Sequence, residues 1–207
     1  MKQIQLPFDE TQVRDLRVGD PVALSGVMVT GRDEVHKWMI DTFIRKTRTP
    51  QGDDLAVYQA ILPLLQGSAI YHCGPVVAGL DSQEYRFVAA GPTTSIREEP
   101  YQSEVMHHFK IRGVIGKGGM GPKTLAACQE VPGVYLHAIG GAASLIAQTV
   151  KRVLGVYKLE FGVPEAMWVI EVEDFPAVVT MDAHGGSLHA EVAAKSKAAL
   201  EELYSRV

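Results

Sequence analysis

Two hydroxyls and an arginine lie close together in the segment GPTTSIR, residues 91–97. The segment follows a predicted strand, and Thr93 and Thr94 come at the expected start of a helical turn, where free backbone N–H groups favour an anion. Arg97 is four residues after Thr93, so we expect both side chains on one face of that turn. A hydroxyl beside a guanidinium suits a bound carboxylate or phosphate. The alternative is an N-cap threonine next to a surface arginine.

A second cation, Lys117, lies in the glycine-rich segment GKGGMG, residues 116–121. A Walker phosphate loop requires Ser or Thr after GK, and Gly118 stands there instead, which makes a nucleotide site a poor interpretation. We expect a glycine-lined turn that presents the Lys117 ammonium to an anion. A tight turn carrying an exposed lysine is the alternative.

A third candidate segment is TGRDEVHK, residues 30–37. Arg32 lies at a predicted strand-to-helix junction, and His36 is four residues later on the same helical face. His36 is interpreted first as a packed or capping residue and second as a functional one. Asp33 is either a helix cap or a partner of Arg32.

The elements that must position these residues alternate between strand and helix, which predicts an α/β fold in one domain over residues 1–207. Strands are predicted at 21–30, 68–73, 85–90 and 112–116, with two more in 168–182. Helices are predicted at 122–130, 142–153 and 192–207, and 45–57 is expected to be the most loop-like stretch. Strand-to-helix junctions can gather at one edge of a sheet, where three cations and a hydroxyl fit a small dicarboxylate.

Composition excludes several classes of protein. The net charge of −4 argues against binding to nucleic acid or to an anionic membrane through a broad basic face. No histidine spacing indicates a metal site, and Cys73 and Cys128 cannot by themselves ligate a four-iron cluster. We find no signal-peptide or transmembrane pattern, and therefore expect a cytoplasmic protein with reduced thiols.

Six blocks occur in order along the chain: GRDEVHK, YHCGPVV, GPTTSIR, IGKGGMGPKT, GGAASLIAQ and GVPEAMWVIEVEDFPAVVTMDAHG. Over roughly residues 10–190 this ordered set resembles the β subunit, or the equivalent carboxyl-terminal domain, of class I iron–sulfur fumarases and L(+)-tartrate dehydratases. The resemblance implies a single swivelling β/β/α domain with a mixed sheet. It also implies a partner α subunit that holds a 4Fe–4S cluster, so that this chain itself binds no metal.

The resemblance also implies roles for individual residues. Arg32, Arg97 and Lys117 would bind the substrate carboxylates, and Thr93 would be the general base or its hydroxyl relay. Four further residues are expected to support them: Asp33, His36, Thr94 and Gly118. A free hydroxyl is a poor base, so Thr93 needs a cationic field or an activating group from the other subunit.

The function expected from this family is a hydro-lyase of the tricarboxylic acid cycle that reversibly hydrates fumarate to (S)-malate. The same chemistry on L(+)-tartrate, which yields oxaloacetate, is the nearest alternative. A non-catalytic dicarboxylate-binding module and a phosphate-binding enzyme stay open as interpretations from other classes. The expected assembly is of α2β2 type, with a homodimer as the alternative for the isolated chain.

Overall fold

A computed structural model describes residues 1–205 of the protein. Within those residues the strands are β1 Lys2–Gln5, β2 Pro21–Thr30, β3 Ala69–Tyr71, β4 Val76–Ala78, β5 Arg86–Ala89, β6 Gly113–Gly116, β7 Val134–His137, β8 Val150–Tyr157 and β9 Met167–Met181. The α-helices are α1 Glu10–Asp15, α2 Asp33–Met39, α3 Asp54–Leu65, α4 Glu99–Phe109, α5 Pro122–Glu130, α6 Ala143–Ala147 and α7 Leu188–Ser205. The structure confirms the predicted α/β class.

Seven strands form one mixed sheet in the order β1-β2-β3-β6-β7-β9-β8, and β9 also pairs with β2. Strands β1, β2, β3, β6 and β7 run parallel to one another. Strand β9 is antiparallel to both β2 and β7. The sheet therefore closes on itself through β9, and β2, β3, β6, β7 and β9 form a ring. The pair β4–β5 is a separate two-stranded sheet.

The carboxyl-terminal strand region differs from the prediction of two strands in 168–182. The structure has the single 15-residue strand β9. Its first half lies between β2 and β8, and its last residues pair with β7. Asp174 has a φ of 53° in the middle of the strand. The apparent break in the pattern is thus a change of neighbour within one continuous strand.

Two other predictions hold over only part of their segments. The helix expected at 142–153 is only Ala143–Ala147, because the chain from Val150 onward pairs with β9 as a strand. The stretch 45–57 is not all loop, because α3 begins at Asp54. The buried Asp54 carboxylate accepts hydrogen bonds from Trp38 Nε1 at 2.8 Å and from Lys158 Nζ at 3.0 Å. These distant partners stabilise the start of the helix.

The remaining elements follow the local signals. Helix α5 spans the predicted residues, with Pro122 at its first position, where the missing N–H costs nothing. The predicted closing helix begins earlier than expected, at Leu188, and residues 206–207 of that prediction lie outside the described residues. No helix within residues 1–205 has the length and apolar character needed to cross a membrane.

The core has two apolar layers, one on each face of the sheet. One contains Tyr71, Trp168 and Phe175, and the other packs Trp38 and Phe109 of the helices against the strands. Parallel strands are normally buried on both faces. The short strands β3 and β6 are accordingly buried at every residue, which fixes the positions of their carboxyl ends.

Candidate functional site

The candidate site lies where the parallel strands β2, β3 and β6 end. Arg32 follows the end of β2, and Lys117 follows the end of β6. Because these strands are adjacent and parallel, their carboxyl ends meet at one edge of the sheet. Arg32 and Lys117 therefore lie at the same edge of the sheet.

The segment that carries Thr93 is inserted between the ends of β3 and β6. The backbone N–H of Thr93 donates to the carbonyl of His72 at 2.7 Å, and its carbonyl accepts from the N–H of Lys117 at 3.2 Å. The Thr93 hydroxyl also donates to the His72 carbonyl, at 3.1 Å. Thr94 forms a parallel bridge with Lys117. Thr93 is thus held by both neighbouring strands rather than by a flexible loop.

The predicted helical relation between Thr93 and Arg97 was wrong. Only Ser95–Glu98 form a helical turn, of 3-10 type, and Thr94 is its extended N-cap. Thr93 lies before the turn because its backbone pairs with the two strands instead. Arg97 reaches the site independently, through an ion pair with the Asp33 carboxylate.

Gly116 allows this insertion. A Cβ atom at this position would lie 1.8 Å from Ser95 Oγ and 3.3 Å from His72 Nδ1. The backbone of β6 can approach the 92–95 segment only because the residue has no side chain. The following Gly118 and Gly119 have φ values of +80° and +81°, so they form the tight turn that the sequence predicted after Lys117.

The Arg32 side chain lies across Gly74, where a Cβ atom would come within 2.4 Å of Nη1. Its guanidinium forms an ion pair with Glu165 at 3.1 Å, and both side chains are about four-fifths buried, at 19% and 20% exposure. Glu165 also accepts a hydrogen bond from the N–H of Glu34 at 3.2 Å. Arg32 is therefore oriented by a carboxylate from the loop before β9.

Glu98 is a buried carboxyl group next to the arginines. Its Oε2 has no hydrogen-bond partner among the described residues and lies 3.6 Å from Nδ1 of His36. Burial, together with repulsion by Asp33, raises the pKa of Glu98 to about 8. The group is consequently neutral at pH 7, and the site keeps a net positive charge.

Lys117 differs from the two arginines in its partners. Asp33 and Glu165 neutralise Arg97 and Arg32, whereas no carboxylate within residues 1–205 pairs with Lys117. Its side chain passes close to Gly140, where a Cβ atom would be 3.6 Å from Lys117 Cδ. Lys117 is thus the cation most readily available to an incoming anion.

The four supporting residues have different places in the site. Asp33 is the partner of Arg97. Gly118 lies in the Lys117 turn, where a Cβ atom would be 3.7 Å from the Thr94 methyl group. Thr94 is exposed, and its backbone bridges to Lys117. His36 is completely buried and does not reach the surface of the site.

Sequence reasoning missed several residues at this edge. Five buried or half-buried polar side chains support the site from below or from the side: His72, Ser95, Glu98, Gln102 and Glu165. Only Glu98 could have been noticed locally, because it follows Arg97 directly. The others carry no spacing signal, since Gln102 meets His36 across 66 residues and His72 across 30.

The described residues do not fit an iron–sulfur cluster. Both cysteines are buried and free, and burial raises the pKa of the Cys73 and Cys128 thiols to about 12. Thiolate is the form that binds metal, so neither side chain is suited to be a ligand. No group of three or more His, Cys, Asp or Glu in residues 1–205 is arranged to hold a metal ion.

Three known proteins match most of this chain. A putative fumarate hydratase class I of Geobacillus stearothermophilus is 50% identical over 200 residues, which cover 97% of this chain and 35% of that protein. The chain thus spans about a third of the length of that relative. The L(+)-tartrate dehydratase subunit beta of Escherichia coli K12 is 35% identical over 92% of this chain and 87% of its own length.

A third relative is the putative L(+)-tartrate dehydratase subunit beta of Methanocaldococcus jannaschii, which is 39% identical over 92% of each chain. The sequence model of the family described as Fumarase C-terminus matches residues 1–192. That match includes every strand of the closed sheet and all the site residues described above. The chain therefore belongs to the Fumarase C-terminus family.

Proposed function

We propose that this chain is the β subunit of a two-component hydro-lyase that reversibly hydrates fumarate to (S)-malate. The observation that carries the proposal is the placement of Arg32, Arg97 and Lys117 beside Thr93 at one strand edge. Fumarate and malate each carry two carboxylates, and such groups are bound most strongly by charge-assisted hydrogen bonds. The similarity to a putative fumarate hydratase class I supports this substrate.

The cations would bind the substrate in a defined way. Lys117 has no internal counter-ion among the described residues and would receive one carboxylate first. The second carboxylate would then replace Asp33 or Glu165 as the partner of an arginine. Because Glu98 is neutral at pH 7, it would not repel the dianion.

In its ionised form, Thr93 Oγ1 would accept the proton from one substrate carbon as hydroxide leaves the neighbouring carbon, and would return that proton during hydration. The cluster held by the partner subunit would supply the Lewis acid for the hydroxide. The main chain of Thr93 is held on both sides, and its Oγ1 donates to the His72 carbonyl, so little reorganisation of the segment is required at the moment of transfer. The hydroxyl must itself be activated, and the positive field of Lys117 and Arg97 favours its ionised form. A carboxylate from the partner subunit would complete the activation.

The chain would supply only part of the active site. We place the 4Fe–4S cluster on a separate α subunit, because the described residues of this chain offer no ligands for it. Two relatives of similar length are named as beta subunits, which supports a second component. We expect an assembly of α2β2 type in the cytoplasm, where the two buried thiols would stay reduced.

L(+)-tartrate is the second candidate substrate. Two of the relatives are named as beta subunits of L(+)-tartrate dehydratase, and they share most of this chain's length. Tartrate is also a dicarboxylate, so the same three cations would bind it. The observed residues favour a dicarboxylate without choosing between the two.

The test is to co-express this chain with a candidate cysteine-bearing α subunit and to assay the purified pair under anaerobic conditions. Turnover of (S)-malate and fumarate with a higher kcat/KM than that for L(+)-tartrate is the expected result. A preference for tartrate would replace the substrate assignment. Absence of turnover on both, in a pair that contains iron and sulfide, would overturn the proposed function.

A further inference from the structure

A buried amide lies between two imidazoles beneath the site. Gln102 of α4, His36 of α2 and His72 after β3 are all completely buried. The Gln102 amide, measured to Oε1, is 3.0 Å from His36 Nε2 and 2.9 Å from His72 Nε2. The two rings meet edge to face, with centroids 5.2 Å apart. One side chain therefore joins two elements that approach the site from different strands.

Each imidazole also holds a part of the site. Nδ1 of His36 lies 2.9 Å from the carbonyl oxygen of Arg32. The carbonyl of His72 accepts from both the N–H and the hydroxyl of Thr93. Gln102 thus connects the backbone of a carboxylate-binding arginine with the residue that positions the reactive hydroxyl.

The connection extends to Lys117 through Ser95. Nδ1 of His72 lies 2.8 Å from Ser95 Oγ, which also accepts a hydrogen bond from the Tyr135 hydroxyl at 2.9 Å. The backbone N–H of Ser95 donates to the carbonyl of Lys117 at 3.0 Å. The hydrogen-bonded network of Gln102, His36, His72 and Ser95 therefore contacts the segments that carry Arg32, Thr93 and Lys117. It does not contact the exposed guanidinium of Arg97.

The nitrogen that carries the hydrogen in each imidazole depends on the groups that face its two ring nitrogens. Burial lowers the pKa of His36 and lowers that of His72 to about 3, so both rings are neutral. Nδ1 of His36 faces a carbonyl and must carry the hydrogen, which leaves Nε2 as an acceptor. The buried Nε2 of Gln102 has no partner in its present orientation. Rotating the amide by half a turn places its two hydrogens on the two imidazoles and satisfies this donor.

We propose that Gln102 is a positioning residue, which is oriented by His36, selects the tautomer of His72 and thereby holds Thr93 in register with Arg32. This inference rests on the proposed hydro-lyase function for its kinetic test and is independent of that function for its spectroscopic test. A leucine at this position could not donate, and a carboxylate could only accept. Both substitutions nearly keep the volume of the side chain.

The charged groups around the network are few. Glu98 Oε2 faces Nδ1 of His36 at 3.6 Å, and the Asp33 carboxylate favours protonation of that ring. A carboxylate introduced by Gln102→Glu would add a second acceptor on the other side of the ring. An ionised carboxylate beside Nε2 would favour the protonated ring and so raise the pKa of His36.

The experiment compares Gln102→Leu and Gln102→Glu with the wild-type protein. Nitrogen NMR of the full chain with labelled histidines reports which ring nitrogens carry hydrogen. In the wild type we expect both Nε2 atoms to carry no hydrogen. In Gln102→Leu we expect mixed tautomers of His72, whereas His36 keeps its hydrogen on Nδ1. In the pair with the α subunit, we expect Gln102→Leu to lower kcat by about 10- to 100-fold, with KM changed by less than about 3-fold. Gln102→Glu should add a pH-dependent limb to the kcat profile.

Thr42→Val is the matched control, because Thr42 is another buried polar residue, and its hydroxyl has no partner among the described residues. It should leave both kcat and the histidine spectra unchanged. Wild-type tautomers together with an unchanged kcat in folded Gln102→Leu would overturn the inference, as would a loss of thermal stability alone. If Gln102→Leu does not fold, the inference is tested with Gln102→Glu, and histidine spectra and a pH profile identical to those of the wild type would overturn it. A wild-type pair without turnover would refute the function, while the spectra would still test Gln102.

Discussion

Thr93 is held by backbone hydrogen bonds on both sides, and its hydroxyl donates to a carbonyl. We expect Thr93→Ala to lower kcat of the pair by at least about 100-fold, within the usual range for loss of a proton-transfer group. The Kd for the dicarboxylate should stay within a few fold, because the cations are unchanged. Steady-state kinetics and equilibrium binding measure the two effects separately.

Thr149→Ala is the control for this substitution. Thr149 is also half-buried, and its hydroxyl donates to the carbonyl of Ile146 at 2.7 Å, but it lies outside the site. Its variant should turn over normally. Normal turnover of Thr93→Ala as well would remove Thr93 from the mechanism.

Lys117 is the site cation without an internal counter-ion among residues 1–205. We expect Lys117→Ala to raise KM for the dicarboxylate by about 10- to 100-fold, corresponding to one charged hydrogen bond, with kcat changed only a few fold. Lys151→Ala is the matched control, because Lys151 pairs with the exposed Glu173. A large fall in kcat at unchanged KM would show that Lys117 acts in the transition state rather than in binding.

Glu98 should make stability depend on pH. The pKa of this carboxyl group is raised to about 8 from an ordinary value of 4.5, so the folded protein holds a proton that the unfolded chain loses. The stability that protonated Glu98 contributes to the folded protein is fully present below pH 4.5 and is lost as pH rises through about 8. Between these two pH values the free energy of unfolding falls with rising pH, by up to about 1.4 kcal/mol per pH unit.

Glu98→Gln is the isosteric test of that prediction. The difference in the free energy of unfolding between wild type and variant should change across about pH 5–8, because the histidine contributions are common to both proteins and cancel. Chemical denaturation at several pH values measures it. KM for the dicarboxylate should also rise above about pH 8 in the wild type only, since ionised Glu98 repels the substrate. A pH-independent difference would show that Glu98 is ionised throughout.

At the scale of elements, β6 and the 92–95 segment approach each other more closely than a side chain would allow. In Gly116→Ala the new methyl group would overlap Ser95 Oγ, so the inserted segment would have to move. We expect loss of about 1–3 kcal/mol of stability, as for other overpacked sites, and a fall in kcat of at least about 10-fold. Denaturation and kinetics on the same preparation test both.

Gly155→Ala provides the comparison for this prediction. Gly155 lies in β8, and a Cβ atom there would meet nothing within 4 Å. Its variant should be as stable as the wild type or slightly more so, because alanine has less conformational freedom in the unfolded chain. Equal behaviour of the two variants would mean that the 92–95 segment accommodates a side chain.

At the scale of the whole molecule, residues 1–205 contain no group of three or more His, Cys, Asp or Glu arranged to hold a metal ion. We expect Cys73→Ala and Cys128→Ala to leave the iron content per αβ pair unchanged, since both thiols are buried and protonated. Iron analysis of the purified pair measures this. Iron lost in proportion to either substitution would place a cluster ligand on this chain.

The sequence predicted much of the site because its signals are local. Arg32, Thr93 and Lys117 each lie where a strand ends, and the glycines beside Lys117 require a turn. The bounds of α5 could be predicted for the same reason, since Pro122 marks a helix start. The ordered motifs also indicated the family that the comparisons then showed.

Tertiary structure decided what depends on contacts between distant residues. Strand β9 closes the sheet by pairing with both β2 and β7, and no periodicity within 168–182 shows which neighbours it will have. The pairing of Arg32 with Glu165 and the burial of Gln102 between two histidines arise only when the strands are assembled. Spacing along a chain determines neighbours within a turn or strand, whereas burial and the pKa of Glu98 depend on all the groups that exclude water from them.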